Sequence, residues 1–182
     1  ICSKLKENGI DFLRLGNDFS CSSEYYENLL SRRAENCKTV EDVQRMITEA
    51  RVVCGTTTAL NSHTEIFSLK KFQLAIIDEA SQILEPYIVG LLSAKHGKEN
   101  AIGKFVLIGD EKQLPAVVQQ DETESAVMGP ELNEIKLTNC RLSFFERLLK
   151  IYGKDNTKYC HVLTRQGRMH PGIADFPNKA FY

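Results

Sequence analysis

Residues 72–82 read "FQLAIIDEASQ", and the fold prediction begins with this stretch. An apolar run from Leu74 to Ile77 ends on two adjacent carboxylates, Asp78 and Glu79. A short, continuous apolar run is typical of a strand in a sheet that is covered on both faces. Such sheets bind ligands beyond the carboxyl ends of their strands, so the two acids are candidate site residues. A solvated acidic turn would explain the same pair equally well.

Three further runs share this pattern of β-prone residues followed by a polar or glycine-containing turn. They are "RVVCGTTTA" at 51–59, "FVLIGDEKQ" at 105–113 and "CHVLTRQGR" at 160–168, while "DFLRLG" at 11–16 reads as a shorter strand. Strands that alternate with helices predict an α/β fold with a parallel sheet. The polar tails of the four long runs should therefore lie along one edge of that sheet.

Two segments between these runs carry a helical pattern. From about residue 20 to residue 50, serine or threonine caps precede acidic first turns, and apolar residues such as Val43 and Ile47 lie four apart. This polar segment reads as a helical insertion into the sheet. A second helix is expected in "EPYIVGLLSAKHG", with Pro86 as its first helical residue and Gly97 as its stop.

Composition and charge exclude several classes of protein. At 42% hydrophobic and 26% charged residues the chain is neither disordered nor membrane-spanning, and no apolar run approaches the roughly 20 residues of a transmembrane helix. A net charge of −1 disfavours a strongly basic duplex-binding module. The six cysteines are scattered without a C-x-x-C pair, which favours reduced thiols in a cytoplasmic protein over disulfides or a zinc site.

The run at 105–113 strengthens the interpretation of the acids as a site because it repeats the same arrangement. Its strand ends on Gly109 and Asp110, and Gln113 follows in "GDEKQLP". Glycine allows the backbone to pass close to a neighbour or a ligand. The Gln113 amide carries both a donor and an acceptor, so it can contact a terminal phosphate and a water together. A Gly-Asp turn explains this run alone but not its occurrence alongside "IIDEAS".

The last run adds a permanent positive charge. It ends with "TRQGR", in which Gln166 and Arg168 stand on either side of Gly167. Arginine presents a fork of donors that binds phosphate oxygens, and it keeps its charge at neutral pH. Taken alone, Arg168 would be interpreted as an ordinary salt-bridging residue.

These stretches together resemble a known family. "IIDEAS" (76–81), "LIGDEKQLPAVV" (107–118) and "RQGRMHPGIADFPNKAFY" (165–182) are similar to motifs II, III and IV of superfamily 1 helicases. The resemblance is closest to the branch that contains the nonsense-mediated decay helicase, and "VVCGTTTAL" and "LSFFERLLK" fit the same family. It covers most of residues 51–182 and implies an α/β, RecA-like lobe of the P-loop NTPase class, incomplete and with a helical insertion.

The resemblance also implies a metal-binding role for Asp78 and catalytic roles for Glu79, Gln113 and Arg168. Asp78 would coordinate Mg²⁺, and Glu79 would activate the water that attacks the γ-phosphate of ATP. Gln113 would sense that phosphate and couple it to strand binding. Arg168 would neutralise charge as the phosphate leaves.

Four further residues take binding roles by the same resemblance. Asp110 and Gln166 would lie against the nucleotide. Thr56 and Thr57 would contact single-stranded DNA or RNA, where hydroxyl groups suit phosphate contacts. β-propensity at a strand end explains the two threonines equally well. Gly167 stands where relatives usually carry a tyrosine that can stack on the nucleotide base.

The 182 residues contain no phosphate-binding loop of the form G-x-x-x-x-G-K-[ST]. We expect this loop upstream of Ile1 in a longer parent chain. In that parent, residues 1–170 would belong to the first RecA-like lobe, and residues 171–182 would begin the second. Without the loop, little would hold the β and γ phosphates, so the isolated 182 residues are expected not to hydrolyse ATP at a useful rate.

Two alternatives to an ATP-driven helicase or translocase remain open. A degenerate RecA-like lobe could bind nucleic acid or protein without hydrolysis, although Asp78 and the three implied catalytic residues are intact. A magnesium-dependent nuclease could use Asp78, Glu79 and Asp110, provided that their carboxylates converge on a metal ion.

Overall fold

A computed structural model describes the backbone of residues 1–182 and the side chains of residues 1–19 and 21–182. The helices of this described chain are α1 (Cys2–Glu7), α2 (Leu30–Glu35), α3 (Val40–Glu49), α4 (Thr57–Asn61), α5 (Glu65–Leu69), α6 (Glu85–Leu92), α7 (Pro130–Glu134), α8 (Phe144–Tyr152) and α9 (Pro171–Ala180). Its strands are β1 (Leu13–Arg14), β2 (Val53–Cys54), β3 (Ala75–Ile77), β4 (Lys95–His96), β5 (Glu99–Asn100) and β6 (Phe105–Leu107). Short 3₁₀ turns occupy Asp18–Ser20, Ser23–Asn28 and Ala80–Gln82. The predicted α/β fold class is confirmed.

The chain divides into two compact units. Unit 1 comprises Ile1–Ile76 and Pro86–Val106, and unit 2 comprises Ile77–Glu85 and Leu107–Tyr182. The threonine-bearing segment belongs to unit 1, and every other candidate site residue belongs to unit 2. The predicted start of a second lobe at residue 171 stays a prediction.

Two parallel strands form the centre of unit 1. β1 and β2 pair with Leu13 opposite Val53 and Arg14 opposite Cys54. The Leu15 N–H donates to the Cys54 C=O at 2.7 Å, which extends the ladder by one residue. Side chains alternate across a strand, so Leu13 and Leu15 lie on the same face, where both are at most 2% exposed.

Helices cover that face and complete the core of unit 1. Ile47 of α3 and Ile66 of α5 join the two leucines of β1 in one buried cluster. α3 begins at a capping box in which the Thr39 hydroxyl accepts the Asp42 N–H and the Asp42 carboxylate accepts the Thr39 N–H, both at 3.2 Å. Because α2 and α3 lie between β1 and β2 in the sequence, the predicted helical insertion is confirmed.

β3 and β6 pair with each other and lead into the two acid-bearing turns. The Ala75 N–H donates to the Lys104 C=O at 2.9 Å, and the Ile108 N–H donates to the Ile77 C=O at 2.8 Å. Both strands therefore run in the same direction. The pairing brings "DEAS" and "GDEKQ" to the same end of the strands, as the sequence predicts.

One face of the β3–β6 pair is exposed, contrary to the prediction of a sheet covered on both faces. Ile77 is 8% exposed, whereas Leu74, Ile76 and Val106 are 45%, 60% and 40% exposed. In the described chain β1–β2 and β3–β6 are hydrogen-bonded as separate two-stranded sheets. The apolar run thus predicted the strand correctly but not its burial.

Two local predictions are wrong. Residues 160–168 form no strand in the described chain, and Val162 and Leu163 are 67% and 88% exposed. β-propensity reflects the packing of side chains against neighbouring strands, and these exposed side chains have no such neighbours. Gly97 does not end a helix, because α6 already ends at Leu92; with a φ of 62°, Gly97 turns the β4–β5 hairpin instead.

In unit 2, α8 has a well-defined start. The Ser143 hydroxyl accepts the Glu146 N–H at 3.1 Å, and the Glu146 carboxylate accepts the Ser143 N–H at 3.1 Å. This capping box satisfies two of the helix's free backbone donors and is fully buried at Ser143, which is 0% exposed. The segment "LSFFERLLK" therefore forms a helix that is anchored at its first residue.

The helices are short. Among the described helices, α3 and α9 are the longest, with 10 residues each. A helix needs about 20 residues to cross the hydrocarbon core of a bilayer. No described helix has the length and apolar character to do so.

Replacing Ile66 by alanine tests the core of unit 1. Ile66 is 1% exposed, and the cavity left by its side chain should lower the free energy of unfolding by about 2–5 kcal/mol. Ile10→Ala is the matched control, because Ile10 is 44% exposed and its truncation should cost less than about 1 kcal/mol. Urea unfolding of the 182-residue chain measures both, and equal losses would contradict this assignment of the core.

Candidate functional site

The two acids after β3 are exposed at the start of a 3₁₀ turn. β3 ends at Ile77, and the Asp78 carboxylate accepts the Glu79 backbone N–H at 3.1 Å. Glu79 has a left-handed backbone, with φ 53° and ψ 38°, which is uncommon for a residue that carries a Cβ. The Gln82 amide donates to the Glu79 carboxylate at 3.3 Å. Both acids are exposed, so water or a cation can reach their carboxylates.

A close backbone approach joins this turn to the next loop. The Ala80 N–H donates to the Ile108 C=O at 2.8 Å, and the Asp110 N–H donates to the Ser81 hydroxyl at 3.2 Å. A Cβ placed on Gly109 would lie 2.8 Å from the Ser81 backbone nitrogen, a separation that real Cβ atoms essentially never show. The prediction that Gly109 lets the backbone pass close to a neighbour is confirmed. Sequence reasoning missed that the neighbour is Ser81, which is 4% exposed.

The loop after Gly109 folds around Asp110. The Asp110 carboxylate accepts the Lys112 backbone N–H and the Gln113 side-chain amide, both at 3.0 Å, and it also accepts the Tyr182 hydroxyl. Burial alone would raise the pKa of Asp110. Hydrogen bonds from Tyr182 and from the loop outweigh burial, so the pKa of Asp110 lies below its ordinary value. Asp110 is therefore ionised at neutral pH, and it orients the Gln113 amide.

Tyr182 is a second contact that sequence reasoning missed. Its ring centroid lies 4.7 Å from the Lys112 ammonium nitrogen, which also donates to the Phe181 C=O. The hydrogen bond to Asp110 stabilises the neutral phenol and raises the pKa of Tyr182 to about 12. Tyr182 and Asp110 are 72 residues apart, and no local sequence pattern signals a contact at that separation.

Gln166 and Arg168 lie in one compact turn. The Gln166 side-chain carbonyl accepts the backbone N–H groups of Arg168 at 3.0 Å and Met169 at 2.7 Å, and its amide nitrogen donates to the Met169 C=O at 2.9 Å. Arg168 is exposed, and its guanidinium forms no ion pair with any described side chain. The Gln166 side chain thus shapes the turn and leaves the Arg168 charge in solvent.

The threonine-bearing segment lies in unit 1 and is not the end of a strand. β2 ends at Cys54, and the Thr56 hydroxyl accepts the Ala59 N–H at 3.1 Å. Thr56 is the N-cap of α4, and Thr57 is the first residue of that helix. The capping bond uses Thr56 as an acceptor, so its hydroxyl proton can still be donated.

The described contacts join the first two predicted stretches directly, and the third stretch reaches them through Tyr182, whose hydroxyl donates to Asp110. The turn of Asp78 and Glu79 is bonded through Ser81 to Asp110, whereas no described hydrogen bond joins that turn to Arg168. Among the described side chains, no group of three or more His, Cys, Asp or Glu is placed to hold a metal ion. Asp78 still offers the hard oxygen that Mg²⁺ accepts alongside phosphate oxygens and water.

Replacing Gly109 by alanine tests the close approach. The added methyl group would collide with the Ser81 backbone, which cannot be trimmed, so the free energy of unfolding should fall by about 1–3 kcal/mol. Gly167→Ala is the matched control: no atom lies within 4 Å of its added Cβ, and the change should be below about 1 kcal/mol. Urea unfolding that ranks the two variants alike would rule out the approach.

Replacing Glu79 by glycine tests the strained turn. Glycine adopts a left-handed backbone without steric cost, so Glu79→Gly should unfold with a free energy about 1 kcal/mol higher than Glu79→Ala. At Gln44, exposed in the interior of α3, the order should reverse, because glycine disfavours a helix by about 1 kcal/mol. If the alanine variant is more stable than the glycine variant at both positions, residue 79 is not strained.

Comparisons with known proteins connect the chain to helicases. Residues 8–121, more than half of the chain, match the family model described as an AAA domain. DNA replication ATP-dependent helicase/nuclease JHS1 of Arabidopsis thaliana is 34% identical over 180 residues, which cover 98% of this chain and 11% of that protein. DNA replication ATP-dependent helicase/nuclease DNA2 of Gallus gallus is 30% identical over 185 residues, which cover 100% of this chain and 16% of that protein. DNA polymerase alpha-associated DNA helicase A of Saccharomyces cerevisiae is 32% identical over 153 residues, which cover 80% of this chain and 20% of that protein.

The matched regions are small parts of long relatives. The chain spans 11% to 20% of the length of these three proteins. All three are helicases by name, in agreement with the resemblance of motifs II, III and IV. The chain therefore belongs to the AAA domain family and, with these relatives, to the superfamily 1 helicases.

Proposed function

We propose that this chain forms part of an ATP-dependent helicase or translocase that moves on single-stranded DNA or RNA. The observation that carries the proposal is the joined pair of turns after β3 and β6. There, Ser81 ties the turn of Asp78 and Glu79 to the loop of Asp110 and Gln113. Two of the relatives are named as ATP-dependent helicase/nucleases, which supports ATP as the energy source.

In this function the two exposed acids have different tasks. Asp78 would hold Mg²⁺, and the bound ion would supply positive charge to neutralise the phosphates. Glu79 orients the attacking water and takes its proton, as an exposed carboxylate within reach of that water can do. The Asp78 carboxylate fits the ion, because Mg²⁺ accepts one protein carboxylate together with phosphate oxygens and waters.

Gln113 and Arg168 act on the terminal phosphate. The Gln113 amide nitrogen is bonded to Asp110, which leaves the side-chain carbonyl free to accept a hydrogen bond from the attacking water beside that phosphate. The Arg168 guanidinium is exposed and its backbone is fixed by the Gln166 side chain, which leaves the charge available to the departing phosphate. Asp110 and Gln166 therefore support the nucleotide site through these neighbours.

The nucleic-acid strand is assigned to Thr56 and Thr57. Thr56 is exposed and keeps a hydroxyl donor, which suits a phosphate oxygen. The names of the relatives refer to DNA, which favours DNA over RNA. We also propose that the parent protein belongs to the branch of the nonsense-mediated decay helicase. Its six free cysteines suit a protein of the reducing cytoplasm.

ATP turnover by the intact parent chain tests the proposal. Turnover should rise when single-stranded DNA or RNA is added, and Glu79→Gln should lower it by about 100-fold or more because the general base is lost. Glu131→Gln, at an exposed position of α7, is the matched control and should turn over like the parent. The isolated 182 residues, which contain no phosphate-binding loop, should not turn over ATP.

Each outcome of this assay has a defined meaning. Strand-stimulated turnover that Glu79→Gln removes would support the motor, and the more effective strand would identify its substrate. Nucleic-acid binding without any turnover would instead favour the non-hydrolysing module. Magnesium-dependent turnover by the isolated 182 residues, removed by Glu79→Gln, would refute the expectation that they lack activity.

A further inference from the structure

The helix α8 carries a buried ion pair that the proposed chemistry does not use. The Arg147 guanidinium donates to both carboxylate oxygens of Glu85, at 2.7 Å from Nε and 2.5 Å from Nη2. Its third nitrogen, Nη1, donates to the Ile135 C=O at 2.8 Å. The two side chains are only 9% and 12% exposed. Arg147 is thus held by three hydrogen bonds in unit 2.

Burying this pair is not an efficient way to stabilise a fold. The desolvation of two charges offsets much of their attraction, and a well-packed apolar pair of similar volume is often as stable. A bidentate arginine–carboxylate pair does, however, fix both partners in direction as well as in distance. The pair is therefore better suited to holding Glu85 in place than to adding stability.

Glu85 ends the segment that begins with the candidate catalytic acids. Five residues separate it from Glu79, and they include the 3₁₀ turn Ala80–Gln82. Just before Glu85, Leu84 forms an antiparallel bridge with Ser143, the N-cap of α8. The N-terminal half of α8 therefore contacts the acid-bearing segment both through backbone and through charge.

The other end of α8 contacts the loop of Gln113. Lys154, two residues after α8, forms an ion pair with Glu111. Glu111 lies between Asp110 and Gln113 in the sequence. The start of α8 therefore contacts the segment that follows Asp78 and Glu79. The residue just beyond the end of α8 contacts the loop that carries Gln113.

We infer that α8 is a strut that sets the positions of these two segments, and that Arg147 and Glu85 are positioning residues for ATP hydrolysis. They act through Glu79 and Gln113 and do not themselves touch the reacting atoms. Because a displacement near 1 Å can slow a reaction about 100-fold, a loosened strut should lower kcat more than it changes KM for ATP. This inference rests on the proposed function.

The test uses the intact parent chain and compares single and double variants. Arg147→Lys keeps the charge but loses the bidentate fork, and we expect kcat to fall about 10- to 100-fold while KM for ATP changes less than about threefold. Glu85→Leu combined with Arg147→Met removes both charges, so no charge is left buried alone. This double variant should retain the thermal unfolding midpoint of the parent but not its kcat.

Two lysines near the other end of α8 form a matched surface pair of variants. Lys154→Met should lower kcat by up to about fivefold, the scale of one exposed ion pair. Lys150→Met, at an exposed position of the same helix, should leave kcat unchanged. Neither residue is buried, so both variants should fold as the parent does.

The outcomes separate this inference from the proposed function. Suppose that the parent turns over ATP, that Glu79→Gln does not, and that the folded double variant retains the parent kcat. The positioning role of α8 is then overturned, while the proposed helicase function is retained. Loss of kcat in step with loss of thermal stability across the variants would also overturn it, because the pair would then be merely structural. A parent chain without turnover would overturn the proposed function and this inference together.

Discussion

The candidate site depends on the close passage of the Gly109 backbone over Ser81. A Cβ at residue 109 would lie 2.8 Å from the Ser81 nitrogen, so the passage requires glycine. It allows the Ser81 hydroxyl to accept the Asp110 N–H, and the Asp110 carboxylate in turn accepts the Gln113 amide. The chain of contacts means that the position of Gln113 is set by the same approach that fixes the turn behind Glu79.

The segment from residue 78 to residue 85 combines strain at one end with rigidity at the other. A left-handed backbone at Glu79 costs about 1–2 kcal/mol and persists only where the surroundings determine it. The surroundings include the Ala80 bond to Ile108 and the bidentate pair between Glu85 and Arg147. Holding Glu79, the proposed general base, in a strained backbone fixes the direction of its side chain, which a relaxed and mobile turn would not do.

Sequence alone predicted the strands before the two acid-bearing turns, the helical insertion, and the special role of Gly109. These features follow from local rules of periodicity, capping and the missing Cβ. It could not predict the exposed face of β3, the absence of a strand at residues 160–168, or the contact of Tyr182 with Asp110. Each of these depends on which distant residues are available as partners, and propensity carries no such information.

The exposure of the proposed reactive residues agrees with the proposed phosphate site. Asp78, Glu79 and Arg168 are all exposed, and burying an unpaired charge would be costly. Structural work therefore falls on neighbours that are bonded or buried, such as Ser81 and Arg147. A motif of reactive residues is readable in the sequence because its chemistry is specific. The residues that hold it in place look like ordinary serine and arginine until the fold shows what they touch.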